Sequence, residues 1–181
     1  MTPMHPFDLQ GPSPRSLMVL FILVVLVPVA VTALGHLVLG GSGRPLNLTV
    51  LGPVVVVSVL VFVGLAIMSS RRALVVTTEG MTVRTSFYKV FVKRSALKVD
   101  EIRACDSKHE PACMLSVRTN GVSIPGYQSG WFRTRSREKA FVAMGEGDCV
   151  LIPTTEGFSI LLSTRDAAKA ADALKVSLSE D

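Results

Sequence analysis

Cys105, His109 and Cys113 stand in a C-x3-H-x3-C pattern, and Cys149 follows later in the chain. Soft thiolates and an imidazole are the ligands tetrahedral zinc takes, so these residues have the first claim to chemistry. The two cysteines of the pattern are farther apart than in a C-x2–4-C knuckle, and Asp106–Ala112 reads as a connection between strands. The residues therefore favour free structural thiols in a reducing compartment, with no metal and no cofactor. His5 and His36 lie elsewhere, in a tail and an apolar run. No P-loop, dinucleotide fingerprint, nucleophile elbow or zincin motif is present. No catalytic residue is assigned, and a zinc- or thiol-dependent enzyme ranks third among the function classes.

Basic residues offer the second kind of chemistry. Residues 1–70 carry a net charge of +1, residues 71–139 carry +8 and residues 140–181 carry −4. Arg71 and Arg72 directly follow an uncharged run, and Lys93, Arg94 and Lys98 come soon after. Anionic lipid attracts juxtamembrane Lys and Arg by about 1 kcal/mol each, so these five are the expected membrane-surface residues. The competing reading makes them topology determinants and a solvated face. Arg133, Arg135 and Arg137 alternate but fall at a hairpin tip, Thr134–Glu138. With one Trp and two Tyr behind an apolar anchor, a pI of 9.4 does not point to nucleic acid.

Both sets must be positioned by what surrounds them. Leu17–Leu39 is almost wholly apolar, and Leu46–Ser70 is uncharged with a dense apolar stretch at Val50–Met68. About 20 apolar residues cross a hydrocarbon core of about 30 Å. The spacing predicts spans over 16–40 and 50–70, a short outer link over 41–49, a cytoplasmic tail over 1–15 and a cytoplasmic domain over 71–181. Pro28 and Pro53 are tolerated in such spans. Val31-Thr32-Ala33 resembles a signal-peptide cleavage site, but the apolar core exceeds the usual length of about 7–15 residues. Arg15, Arg71 and Arg72 flank the spans while only Arg44 lies in the link. The positive-inside rule then puts both termini in the cytoplasm.

Beyond Arg72 the period changes to that of strands. Met81–Phe87 alternates, and Leu74–Thr78 reads as its hairpin partner. Further strands are predicted at Tyr88–Lys93, Glu101–Asp106, Met114–Thr119, Gly130–Thr134, Lys139–Met144, Cys149–Pro153 and Gly157–Leu162. Asn120-Gly121, Gly145–Asp148 and Glu156-Gly157 read as turns between them. Ser163–Asp166 offers a capping box. After it, Ala167, Ala170, Ala171, Leu174 and Leu178 form one apolar helical stripe. The class is α+β, mainly β: a two-helix transmembrane hairpin, then a small barrel or sandwich closed by one amphipathic helix.

The stretch Arg118–Phe132, with Gly121, Pro125-Gly126-Tyr127 and Gly130-Trp131-Phe132, resembles the R-x-x-G-x-x-x-P-G-Y-x-x-G-W-F run of a bacterial pleckstrin-homology-like (PH-like) domain family. Glu138–Val142 and Val150–Ser163 resemble the strands that follow that run. The resemblance covers most of residues 74–176. It implies a PH-like fold, often behind transmembrane segments, and implies fold far more than task. Gly145–Cys149 departs from the family's more basic pattern there.

Pro125, Gly126, Tyr127, Gly130, Trp131 and Phe132 can be a turn with an aromatic plug for the core, or a recognition loop. The leading expectation is a non-enzymatic inner-membrane protein whose module binds a protein partner or its own copies, by strand addition or through loops. The second is a lipid or small-ligand sensor at an anionic membrane surface.

Overall fold

The computed structural model describes residues 11–39, 48–70, 72–85, 87–145 and 147–179. Most of the expected tail, residues 41–47 of the expected link at 41–49, and Arg71 lie outside the described residues, while Leu48 and Thr49 of that link belong to a helix. Among the described residues two helices are long and apolar enough to cross a membrane, Pro14–Val38 and Thr49–Ser69, with mean hydropathies of 3.0 and 2.8.

The first begins as α1 (Pro14–Phe21), where the Ser13 side chain caps the Ser16 N–H and Pro14 needs no partner. A π-helical stretch, Ile22–Leu26, joins it to α2 (Val27–Leu39). There the Val27 N–H donates to the Ile22 carbonyl, directly before Pro28, which has no N–H to continue the ladder. The second helix is α3 (Leu48–Ser70) and carries Pro53 inside it. Phe21 and Phe62 pack edge to face, centroids 5.3 Å apart, binding α1 to α3.

Strands β1 (Ala73–Thr77), β2 (Gly80–Arg84) and β3 (Lys89–Lys93) form an antiparallel meander. The remaining strands are β4 (Arg103–Cys105), β5 (Leu115–Ile124), β6 (Tyr127–Thr134), β7 (Lys139–Met144), β8 (Cys149–Pro153) and β9 (Phe158–Ser163). They make one sheet in the order β4-β8-β9-β7-β6-β5. Strand β9 turns back from β8 and inserts beside β7, with which it pairs in parallel. Neither sheet closes on itself, so of the expected small barrel or sandwich the described strands form two open sheets and not a closed barrel.

Both faces of the larger sheet are covered. This is why Ala140–Met144, Cys149–Ile152 and Ile160–Ser163 are continuously buried rather than alternating. One face joins the meander and α4 (Ala167–Ser179) in a single core that includes Met81, Val92, Phe141, Ile152, Ile160 and Leu174. The other face packs Phe132, Val142, Leu151 and Leu161 under the connection from β4 to β5. Helix α4 buries Ala167, Ala170, Ala171, Leu174 and Leu178, the five residues of the stripe. Burying a Leu-sized side chain contributes about 1.5–3 kcal/mol. The helix starts later than the capping-box reading places it. Ser163 ends β9, and Asp166 is the cap, its Oδ1 accepting from the Lys169 N–H at 3.1 Å.

Candidate functional site

The Pro-Gly-Tyr/Gly-Trp-Phe run forms the turn and second strand of the β5–β6 hairpin. Pro125 and Gly126 occupy its two central turn positions, Gly126 with φ +77°. A trans-Pro then Gly at positive φ is what a type II turn takes. Asn120-Gly121, expected as a turn, lies inside β5 next to a break in register, and Gly121 is paired with Gly130. The expected strands at 114–119 and 130–134 are therefore longer, ten and eight residues.

Most of the expected recognition residues face inward. Tyr127 and Phe132 are buried. Trp131 packs edge to face between Phe141 and Phe158, with centroids 5.2 and 5.1 Å away, and the Lys139 ammonium sits 4.5 Å above its ring. Trp131 and Phe132 alternate along β6, so they enter the two cores on opposite faces. Pro125 remains exposed at the tip.

That tip meets the first apolar helix. The Ser16 hydroxyl donates to the Pro125 carbonyl at 2.6 Å, and Ser16 is buried. The Arg72 guanidinium lies where a side chain on Gly11 would be. The hairpin tip thus comes to the helix end carrying Pro14, and Arg72 covers the chain just before it.

Of the described residues expected at the membrane surface, Lys93, Arg94 and Lys98 do not lie beside Arg72. Ala73, next to Arg72, is in register with Arg84, and Arg84 with Lys89. Lys93 pairs with Gly80, at the opposite end of the meander. Arg94 donates to the carbonyl of Leu178 near the end of α4. Lys98 pairs with Glu101 at 3.1 Å. The basic residues at the end of the meander that follows Arg72 are Arg84 and Lys89. Hairpin register brings them there, which proximity in sequence does not report.

The cysteines do come together. Cys105 on β4 and Cys113 in the β4–β5 connection are joined by a disulfide, which corrects the reading of them as free thiols. Cys149, directly across from Cys105 in the β4–β8 register, is the third buried sulfur. The three Sγ atoms lie within 4.8 Å of one another. The Cys149 thiol approaches the Cys105 carbonyl at 3.4 Å. Burial, reinforced by the Asp148, Glu110 and Asp106 charges, pushes it up to about 12. His109 is not in the cluster; its Nδ1 is 2.6 Å from Asp106 Oδ2 and its ring is exposed. Hydrogen bonding to His109 holds Asp106 below the ordinary carboxylate value. In place of His109 stands Glu110, whose Oε2 is 3.4 Å from Cys105 Sγ and 2.6 Å from Arg103. Sequence reasoning passed over Glu110, although it lies between the two joined cysteines, next to His109.

Beside this connection an open cleft of about 830 Å³ is lined by Lys98, Arg103, Arg133, Arg137 and Lys139, among others. Three of those cations are engaged, Lys98 with Glu101, Arg103 with Glu110 and Lys139 over Trp131. The geometry offers binding surfaces and one sulfur cluster. Compared with known proteins, the chain matches no family model, no curated protein and no solved structure.

Proposed function

We propose that this chain is a multi-pass inner-membrane protein with both termini in the cytoplasm, and that its non-enzymatic PH-like module is an interaction or scaffolding domain. The observation that carries the reading is the β5 edge. Strand β5 is ten residues long, the last strand of its sheet, and exposed from Ser116 to Asn120. An unpaired edge presents a row of main-chain donors and acceptors to any extended segment that lies beside it. Its tip is tied to the membrane helix through Ser16 and Pro125, so a partner strand would be received at a fixed height above the bilayer. The apolar spans and the Arg15, Arg71 and Arg72 flanks support the anchored, cytoplasmic placement.

A photo-crosslinking residue at Val117, which is 55% exposed on β5, tests this in the full chain. A discrete adduct is expected from Val117 and not from Val176, which is 53% exposed on α4. An adduct of twice the chain mass identifies a second copy; any other mass identifies a different partner. Equal labelling from both positions overturns the edge as the binding surface.

A second reading, an anionic-lipid sensor, is favoured by one specific feature. Arg84 and Lys89 are neighbours in register at the end of the meander that follows Arg72. That arrangement aims positive charge at the bilayer surface.

A further inference from the structure

Three sulfurs from two strands and a connection do not converge by local sequence. Cys105 and Cys149 are brought opposite each other by the β4–β8 ladder. Cys113 is returned to them by a tight connection, in which the Glu110 N–H donates to the Asp106 carbonyl and the Cys113 N–H to the Glu110 carbonyl, at 3.1 and 2.9 Å. The same connection sets the Glu110 carboxylate beside Cys105 Sγ. Donor atoms of a tetrahedral thiolate site stand about 3.8 Å apart, given zinc–sulfur bonds of about 2.3 Å. The sulfurs here already lie within 4.8 Å of one another, and Glu110 Oε2 is 3.4 Å from one of them. The surroundings are acidic, with Asp106 and Asp148 near the cluster and Arg103 offsetting Glu110.

We propose that Cys105, Cys113, Cys149 and Glu110 form a redox-gated site for one thiophilic divalent cation, of which zinc is the natural occupant. In the disulfide form the site is closed, because two of its sulfurs have no lone thiolate to give. A dithiol reductant, of the class that keeps cytoplasmic thiols reduced, supplies two electrons and two protons. The Cys105–Cys113 bond breaks to two thiols, and the reductant leaves as its own disulfide. Three thiols then lose three protons to solvent as three metal–sulfur bonds form, and the Glu110 carboxylate takes the fourth position. The cation would pin the β4–β5 connection onto the second face of the large sheet, where the disulfide pins it otherwise.

The test uses the full chain in detergent, reduced with a phosphine and titrated with cobalt(II) alone as the spectroscopic substitute for zinc. One cobalt per chain is expected, with near-ultraviolet thiolate-to-metal charge transfer and visible bands of a tetrahedral site. Zinc should displace it stoichiometrically. Cys149→Ser should abolish the three-thiolate spectrum, and Glu110→Gln should weaken binding about tenfold or more. His109→Ala should leave binding unchanged. The air-oxidised wild-type chain, which keeps its fold, should bind no cobalt. A reduced wild-type chain without charge transfer overturns the proposal, as does cobalt binding equally strong in the oxidised chain. Loss of binding in His109→Ala with Glu110→Gln unaffected overturns the assignment of the fourth ligand.

Discussion

Gly121 and Gly130 face each other across the β5–β6 hairpin so closely that neither position has room for a methyl group. A Cβ on Gly121 would lie 2.5 Å from the Ser129 carbonyl oxygen, and one on Gly130 would lie 2.6 Å from that of Asn120. The Tyr88 ring lies against Gly130, and its hydroxyl donates to Asn120 Oδ1 at 2.8 Å. The spacing G-x3-P-G-x3-G is symmetric about the Pro125-Gly126 turn, which puts the outer glycines in register. The motif is thus the specification of a hairpin: a turn, a close backbone approach and an aromatic cover.

Gly130→Ala should therefore destabilise the domain by about 1–3 kcal/mol, combining a strained φ with a main-chain clash. Gly157→Ala is the control, because Gly157 has φ +79° but nothing within 4 Å of its would-be Cβ. It should cost only the backbone term, about 1–2 kcal/mol. Urea unfolding of both variants checks the difference, and equal losses would mean that the close approach contributes nothing.

Helix α4 gives a sharper contrast. Leu174 is 1% exposed in the main core, whereas Val176, two residues on, is 53% exposed. Leu174→Ala should cost about 2–5 kcal/mol through lost burial and a cavity. Val176→Ala should stay within about 0.5 kcal/mol. The same unfolding measurement decides it.

The cap of α4 should leave a pH signature. Hydrogen bonds from the Lys169 side chain and N–H lower the Asp166 carboxyl below its ordinary value of 3.8, and Asp166 in turn raises Lys169 above 10.5. A carboxyl lowered on folding stabilises above its unfolded value and loses that contribution as pH falls through its folded value. An ammonium raised on folding stabilises below its unfolded value and loses that contribution as pH rises through its folded value. The pair therefore contributes across the neutral range and fades at both extremes. Asp166→Asn keeps a capping oxygen and should flatten the acid limb of the melting-temperature profile. Asp166→Ala should lower melting at every pH.

Thiol counting follows from the cysteine pairing. The unreduced chain should show one reactive thiol in denaturant, Cys149, and three after reduction. In the native state at pH 8 Cys149 should resist alkylation, because burial holds it protonated up to about 12. Rapid native labelling would contradict the buried placement.

What the residues made legible and what they hid have physical causes. The apolar spans and the α4 stripe are local patterns, with periods that need no distant partner to be read. Asn120-Gly121 is a strong hairpin signal in isolation, yet Pro125-Gly126 competes for the same strands and takes the turn; only the symmetric glycine spacing would have told them apart. The β7–β9 parallel pairing and the meeting of Cys105 with Cys149 depend on contacts between distant segments, which composition and spacing do not encode. Trp131 and Phe132 read as a plug first and a recognition loop second, and their alternation on β6 sends one to each core.

In the antiparallel meander Arg84 lies beside Ala73 and Lys89 beside Arg84, whereas Lys93 lies four positions along β3 from Lys89. At about 3.3 Å per residue that offset is about 13 Å, which exceeds a Debye length of about 8 Å at physiological salt. If the Arg72 end of the meander rests at the membrane surface, Arg84 and Lys89 feel the anionic headgroups and Lys93 and Lys98 are largely screened from them. Arg84→Glu with Lys89→Glu should therefore reduce hydrogen-exchange protection at the β2–β3 end in anionic bilayers at low salt, and leave it unchanged in neutral ones. Lys93→Glu with Lys98→Glu should change neither. Equal effects from the two pairs would show that the meander lies flat on the bilayer rather than standing on the end that follows Arg72.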